Sequence, residues 1–404
     1  MGDISQIMVD LGSMDPSVRG PAEQTVNGAR ESDLGGFLVA LVKEMRDGSK
    51  PEASRQMAGV VLKNSVAFDA REEGRRNELE AKWRALHADT RTYVKQEMMQ
   101  SLDSTPLVAR IVSLVIANLA RIEIPAGEWQ DLIPQLCNAV GTANPQWMET
   151  ALTALGYVCE ECDGNEGLTQ ALAAQSMPIL DAIFKGLYHE SPTVRYNAVN
   201  ALCNAIDFIG HHMENEEQRT SLINGICDAA AAAEVATRQK ALETLVALAK
   251  LYYEQLGAHV QQLWNVTTHA IANDKEECAL QGLLFWLAIA EIEVELEDVE
   301  TNQSYTKAIL GDLFKILADC LQKQEEGQTE EDWNVSTAAS KTLVAVAEAA
   351  GDAIMDVAMP FVHANIGASA WRQREAAVLA FGCILHGPDP GLMRQVVAEA
   401  ITTI

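Results

Sequence analysis

Apolar positions in this chain fall at spacings of three and four, the interval that puts side chains on one face of an α-helix. In 191–205, SPTVRYNAVNALCNA, a Pro able to open a helix precedes Arg195, Ala198 and Leu202 at that spacing. All three are predicted on a core-facing stripe. The motif, a small or apolar residue with a larger apolar one four further on, recurs along the whole chain. Its copies are Ala22/Val26, Ala58/Leu62, Ile111/Val115, Ala151/Leu155, Ala198/Leu202, Ala241/Leu245, Ala279/Leu283, Ala339/Leu343 and Ala377/Phe381. An Arg stands three residues before the first member at Arg19, Arg55, Arg195, Arg238 and Arg374. The gaps cluster at about forty residues, the period of two-helix HEAT or armadillo units. Longer gaps, Ala58 to Ile111 and Ala279 to Ala339, predict inserted loops.

The pattern predicts helix pairs in order: a first unit over 3–30, then 33–45 with 52–66, 88–102 with 106–120, and 128–140 with 145–162. Next come 168–187 with 192–208, 216–231 with 235–252, and 256–272 with 276–289. Then 305–321 pairs with a helix from Trp333 to Ala350, and 352–366 with 371–385; Pro388 and Pro390 open a further helix. The mixed-charge stretch 69–82 is expected to be a solvated helix or loop. The expected fold is all-α: a HEAT-repeat α-solenoid, a right-handed superhelix of antiparallel helix pairs. About nine complete repeats are expected plus the first helix of a tenth, with second helices on the inner face. The last helix still runs at Ile404, so a fragment of a longer solenoid is expected.

Composition adds the size and charge of the surface. Each repeat packs only on its neighbours, so 404 residues need not divide into several globular domains. The net charge is −27, from 57 acidic and 30 basic residues. Such a surface repels a phosphate backbone, which excludes nucleic acid as an expected partner. The excess serves solubility, or it attracts a basic partner to an acidic inner surface. The eight Cys are scattered singly apart from Cys159 and Cys162, which one turn of a core stripe explains better than zinc or redox chemistry. The apolar run 111–120 is too short to span a bilayer. No membrane partner, metal or cofactor is expected, and the chain is expected to be soluble and intracellular.

Several tracts resemble one family. They are LKNSV at 62–66, IPAGEWQDLIPQL at 124–136, LGYVCEECD at 155–163, LYYEQLGAHV at 251–260 and ALQGLLFW at 279–286. EEDWN at 330–334 and WRQREAAVLAFGCILHGPDP at 371–390 complete the set. In order and over nearly the whole chain, these resemble the importin-beta (karyopherin-beta) family, in its N-terminal part. The resemblance implies a nuclear import receptor that carries basic cargo or the importin-alpha adaptor through nuclear pores and is unloaded by Ran-GTP. It implies residence in cytoplasm and nucleus, with enrichment at the nuclear envelope. It further implies a Ran-binding part at 1–163, a nucleoporin-binding part at 164–291, and an eighth-to-tenth repeat part at 292–404 carrying the acidic loop 322–332.

Three surfaces follow from the resemblance. The acidic loop would contact Ran through Glu330, Glu331 and Asp332, and the importin-beta-binding segment of importin-alpha, or basic cargo, through those residues with Trp333 and Asn334. Glu325, Glu326, Glu330, Glu331 and Asp332 would concentrate negative potential, and Trp333 could stack on a cationic stem for roughly 0.5–2 kcal/mol. The plainer alternative is a solvated loop with Trp333 tucked into a helix start. Gly327, Gln328 and Thr329 interrupt what in relatives is a nearly continuous Asp run, which could weaken binding. FG-repeat nucleoporins would meet Leu180, Phe184, Leu222 and Ile223; Leu180 and Phe184, four apart, share a face and could equally be ordinary core. The N-terminal Ran surface would include Lys63 and Asn64, with an ordinary solvated lysine as the alternative.

Nothing in the sequence forms a phosphate-binding Gly loop or a nucleophile elbow, so no catalysis is expected and any GTP chemistry would belong to Ran. Basic cargo and Ran-GTP are expected to lower each other's affinity by linkage, since small rotations can add up over repeats that share no single core. A different HEAT scaffold, such as a phosphatase regulatory subunit or vesicle adaptor, is the alternative; it would show no preference for Ran-GTP.

Overall fold

The computed structural model describes residues 3–66, 73–142, 144–296, 300–327 and 332–403. The helices form two compact units. The first, up to Ile209, contains α1 (Ile4–Leu11), α2 (Pro16–Ser32), α3 (Leu34–Arg46), α4 (Glu52–Val66), α5 (Glu73–Arg84), α6 (Ala88–Ser101), α7 (Pro106–Glu123), α8 (Leu132–Val140), α9 (Pro145–Glu160), α10 (Glu166–Ala173), α11 (Ser176–Leu187) and α12 (Pro192–Ala205). The second, from Gly210, contains α13 (Gly210–Glu214), α14 (Glu216–Ala230), α15 (Val235–Tyr252), α16 (Val260–Asn273), α17 (Glu276–Glu295), α18 (Tyr305–Ala308), α19 (Leu310–Leu321), α20 (Val335–Ala350), α21 (Ile354–Asn365), α22 (Trp371–Cys383) and α23 (Pro390–Thr403). Among the described residues every regular element is helical, with short 3-10 turns between some of them.

Within the first unit α4, α7, α9 and α12 pack in succession as one layer, while α3 packs on α6 and α8 on α11 in the other. The second unit repeats the plan, with α15, α17, α20 and α22 in one layer and α14, α16, α19 and α21 in the other. Each is a stack of helical pairs, as the forty-residue period predicts. Local signals set the helix starts. Pro occupies the first turn of α2, α7, α9 and α12, where its missing N–H is no loss. Asp15, Asn144, Asn215 and Asn334 cap their helices by accepting backbone N–H bonds.

The motif pairs form the core. Ala58, Leu62, Ala198, Leu202, Ala241, Leu245, Ala339 and Leu343 have no solvent exposure; Ile111 and Phe381 are half-buried. Trp286 lies at the centre of α17, its indole N–H donating to Thr267 Oγ1 at 3.0 Å and its ring edge-on to Phe285 and Trp264. Gly186 marks a close crossing, because a Cβ there would stand 2.7 Å from Leu152 Cδ1 and 2.8 Å from Ala198 Cβ.

Arg55 is buried and donates to the Met45 carbonyl at 2.9 Å, whereas three other motif arginines do not face the core. Arg195 donates to the carbonyls of His189 and Glu190, both at 2.9 Å. Arg238 reaches Ala232 and Ala233 at 2.9 and 2.8 Å, and Arg374 reaches Ala368 and Ser369 at 2.7 Å each. The offset is the same each time: the guanidinium covers carbonyls where the preceding helix ends, which lack intrahelical partners and carry the negative end of the helix dipole. Arg238 also forks onto Asp274, with two bonds of 2.6 Å that tie one repeat to the next.

The charged stretch 69–82 is helical over its described part, 73–82, with its described side chains exposed or half-buried, and its anchor lies just beyond it. Residues 67–72 lie outside the described ones; the last turn of α5 carries Trp83, whose side chain is buried and donates to Glu123 Oε1 at 2.7 Å. Glu123 has no solvent exposure and also pairs with Lys95 and Arg91. Glu293 plays a similar part in the second unit. It lies in an acidic run, yet is buried and accepts bonds from Tyr253 Oη at 2.9 Å and the Thr306 backbone N–H at 3.1 Å.

Candidate partner-binding site

The connection from α19 to α20 carries the predicted acidic loop. Beyond Leu321, the Lys323 N–H closes a turn on the Cys320 carbonyl at 3.0 Å, and the buried Gln324 is held by Arg372, whose Nε donates to its carbonyl at 2.9 Å. Glu325 and Glu326 are exposed, and Gly327 follows at φ +84°. That left-handed conformation gives the interruption of the acidic run a conformational basis, because glycine adopts it without a Cβ clash. Glu330 and Glu331 lie outside the described residues. Asp332 is exposed, and its carbonyl accepts Thr337 Oγ1 at 2.8 Å. Asn334 caps α20, its Oδ1 accepting the Thr337 N–H at 3.0 Å.

Trp333 is thus fixed between two anchored neighbours and keeps 46% of its surface exposed. It is not tucked into the helix start. Lys341, two turns on, holds its ammonium 4.7 Å from the Trp333 ring centroid. A shallow hollow beside the ring is lined by Glu276, Glu325, Glu326, Asp332, Trp333 and Asn334. An adjoining one is lined by Asp274, Glu276, Lys323, Glu325 and the apolar start of α20. Asp274 and Glu276 come from the entry to α17, so the acidic surface extends into the preceding repeat. Arg238 hydrogen bonds hold the Asp274 carboxyl down at about 2, so it stays charged in any ordinary buffer. A half-exposed indole among carboxylates from two repeats suits a cationic side chain: the ring face attracts it and the carboxylates neutralise it.

The other expected site residues are placed as follows. Lys63 is half-buried and Asn64 exposed on the last turn of α4. Leu180 and Phe184 share a face of α11, with Leu180 buried at 5% exposure and Phe184 half-buried. Leu222 and Ile223, on α14 in the second unit, are core residues at 2% and 0%. Cys159 and Cys162 are buried free thiols, and burial pushes Cys162 up to about 11. Among the described residues no group of three His, Cys, Asp or Glu could hold a metal ion, and no helix is long and apolar enough to cross a membrane.

Two family models match the chain: the importin-beta N-terminal domain over residues 22–104, and the IPO5-like TPR repeats over 104–266. Importin subunit beta-1 of Arabidopsis thaliana is 34% identical over 99% of this chain and 47% of that protein. The chain belongs to the importin-beta family. Among solved structures, yeast importin-beta (Kap95p) superposes with a TM-score of 0.90 at 27% identity, over 98% of this chain and 47% of that one. A Kap95:Nup1 complex matches at 0.88 and 28%, and a complex of Kap95p with RanGDP at 0.87 and 27%, each over 99% of this chain and 47% of the other. This importin-beta family chain therefore spans about half the length of the relatives it matches.

Sequence reasoning missed Asp274, Glu276 and Lys341. Glu276 and Glu277 lie in the first turn of α17, where acids complement the positive end of the helix dipole. The available signal was positional: they stand at the same point of the seventh repeat as Asp332 to Asn334 in the eighth, so stacking brings the two together.

Proposed function

We propose that this chain acts in a nuclear import receptor, binding importin-alpha or basic cargo, FG-repeat nucleoporins and Ran-GTP, without catalysis of its own. The basic partner occupies the Trp333 site, with Glu325, Glu326, Glu330, Glu331 and Asp332 supplying charge, and Asn334 and Glu276 at its rim. Ran-GTP meets Lys63 and Asn64 in the N-terminal part, 1–163, and the loop acids Glu330, Glu331 and Asp332. Nucleoporins engage the part spanning 164–291, where Phe184 is the accessible member of its set; Leu180, Leu222 and Ile223 would contribute only as their surroundings yield. The receptor shuttles between cytoplasm and nucleus and concentrates at the nuclear envelope. Support for the partner classes comes from the Kap95 complexes with Nup1 and with RanGDP, whose receptor chains share this fold.

The observation that carries this reading is Trp333, held half-exposed between carboxylates of two repeats. Its test is titration with the importin-beta-binding segment of importin-alpha at low and high salt. Trp333→Ala should weaken binding about two- to thirtyfold, the span of a cation–π contact. Wild-type affinity should fall as salt rises, since at 1 M the Debye length shrinks to about 3 Å. Unchanged affinity in the variant, or indifference to salt, would remove the site.

A further inference from the structure

Trp333 already has a cation over it. The geometry points to Lys341 as a built-in competitor for the indole face, one that sets a preference for arginine-rich over lysine-rich segments; this rests on the reading of Trp333 as the site for a basic partner. The ammonium lies 4.7 Å from the ring centroid, at the distance an incoming cation would take. Trp333 stands two residues before α20 and Lys341 lies within that helix, so Lys341 is tethered near the ring at high effective concentration. A second lysine, Lys323, lines the adjoining hollow with Asp274, Glu276 and Glu325. In a chain of net charge −27, the acidic site thus carries cations of its own.

Binding at such a site is an exchange. An incoming lysine replaces one ammonium by another on the ring and gains little there. An arginine stacks its planar guanidinium on the indole and offers a fork of donors to Glu276, Glu325 or Asp332, which Lys341 cannot match. The internal lysine therefore costs a lysine ligand more than an arginine ligand.

The experiment measures dissociation constants of octa-arginine and octa-lysine peptides for the wild-type chain, Lys341→Met, Trp333→Ala and the double variant. Methionine keeps the apolar stem and removes the charge. The expected result for Lys341→Met is tighter binding by about two- to fivefold, larger for octa-lysine, so that the preference for arginine narrows. In the Trp333→Ala background that gain should disappear, the non-additivity of two groups in contact. A gain of equal size in both backgrounds would make Lys341 a through-space charge only and overturn the inference. So would an absent gain, or an unchanged arginine preference. If Trp333→Ala alone left both peptides unaffected, the site itself would be refuted, an outcome distinct from failure of the Lys341 exchange.

Discussion

Arg238 shows how one residue type serves the repeat and the joint between repeats. It covers two orphan carbonyls and grips Asp274, whose side chain is only 10% exposed. The Asp274 carboxyl lies at about 2 in the folded chain against 3.8 ordinarily, mainly through Arg238 hydrogen bonds. A depressed carboxylate stabilises fully above its unfolded value and loses that contribution as pH falls through the folded one. About 2 kcal/mol is therefore present above roughly pH 4 and lost towards pH 2. Chemical denaturation across that window should show the loss in the wild type and a smaller one in Asp274→Asn. Gly186 makes a steric counterpart. Alanine there meets Leu152 and Ala198 below 3 Å, so Gly186→Ala should destabilise by about 1–3 kcal/mol in the same assay. The Ala and Leu of each repeat were legible because burial follows from helical spacing alone. The arginine was misplaced because its target is backbone, and carbonyls leave no letter in a sequence.

Helices were legible where their breakers were weighed. α4 and α15 run over the predicted residues, whereas the helix expected from 128 starts at Leu132, and the one expected over 168–187 is divided after Ala173. Pro134 and Pro178 explain both: in a continuous helix each ring would strike the carbonyl four residues back, so the helix restarts just before it. The sequence leaves α5 open between helix and loop for a different reason. Its pattern is charged, and its one anchor, Trp83, works through a polar partner about forty residues away, the fully buried Glu123. Removing that carboxylate leaves Lys95 and Arg91 without their buried counter-charge. Glu123→Ala should cost about 3–5 kcal/mol and release α5, seen as faster amide exchange over Glu73–Arg84 than over α4. Exchange of α5 unchanged from wild type would mean that Trp83 packing alone holds it.

For the whole molecule, the stacked plan and the acidic excess were legible from period and composition, and the family from its quoted tracts. The site was half legible. Asp332 and Trp333 stood out in the linear sequence, but Glu276 and Lys341 joined them only when neighbouring repeats and one helix face were assembled in space. If this chain is a receptor whose basic partner and Ran compete through one loop, Ran binding bears on that competition most directly. The deciding measurement is the affinity of this chain for Ran loaded with a non-hydrolysable GTP analogue and then with GDP, alongside a chain carrying Glu330→Ala, Glu331→Ala and Asp332→Ala. The GTP form should bind more tightly, and that affinity should be lost in the triple variant. Equal affinity for the two nucleotide states, or no binding to either, would contradict the receptor reading.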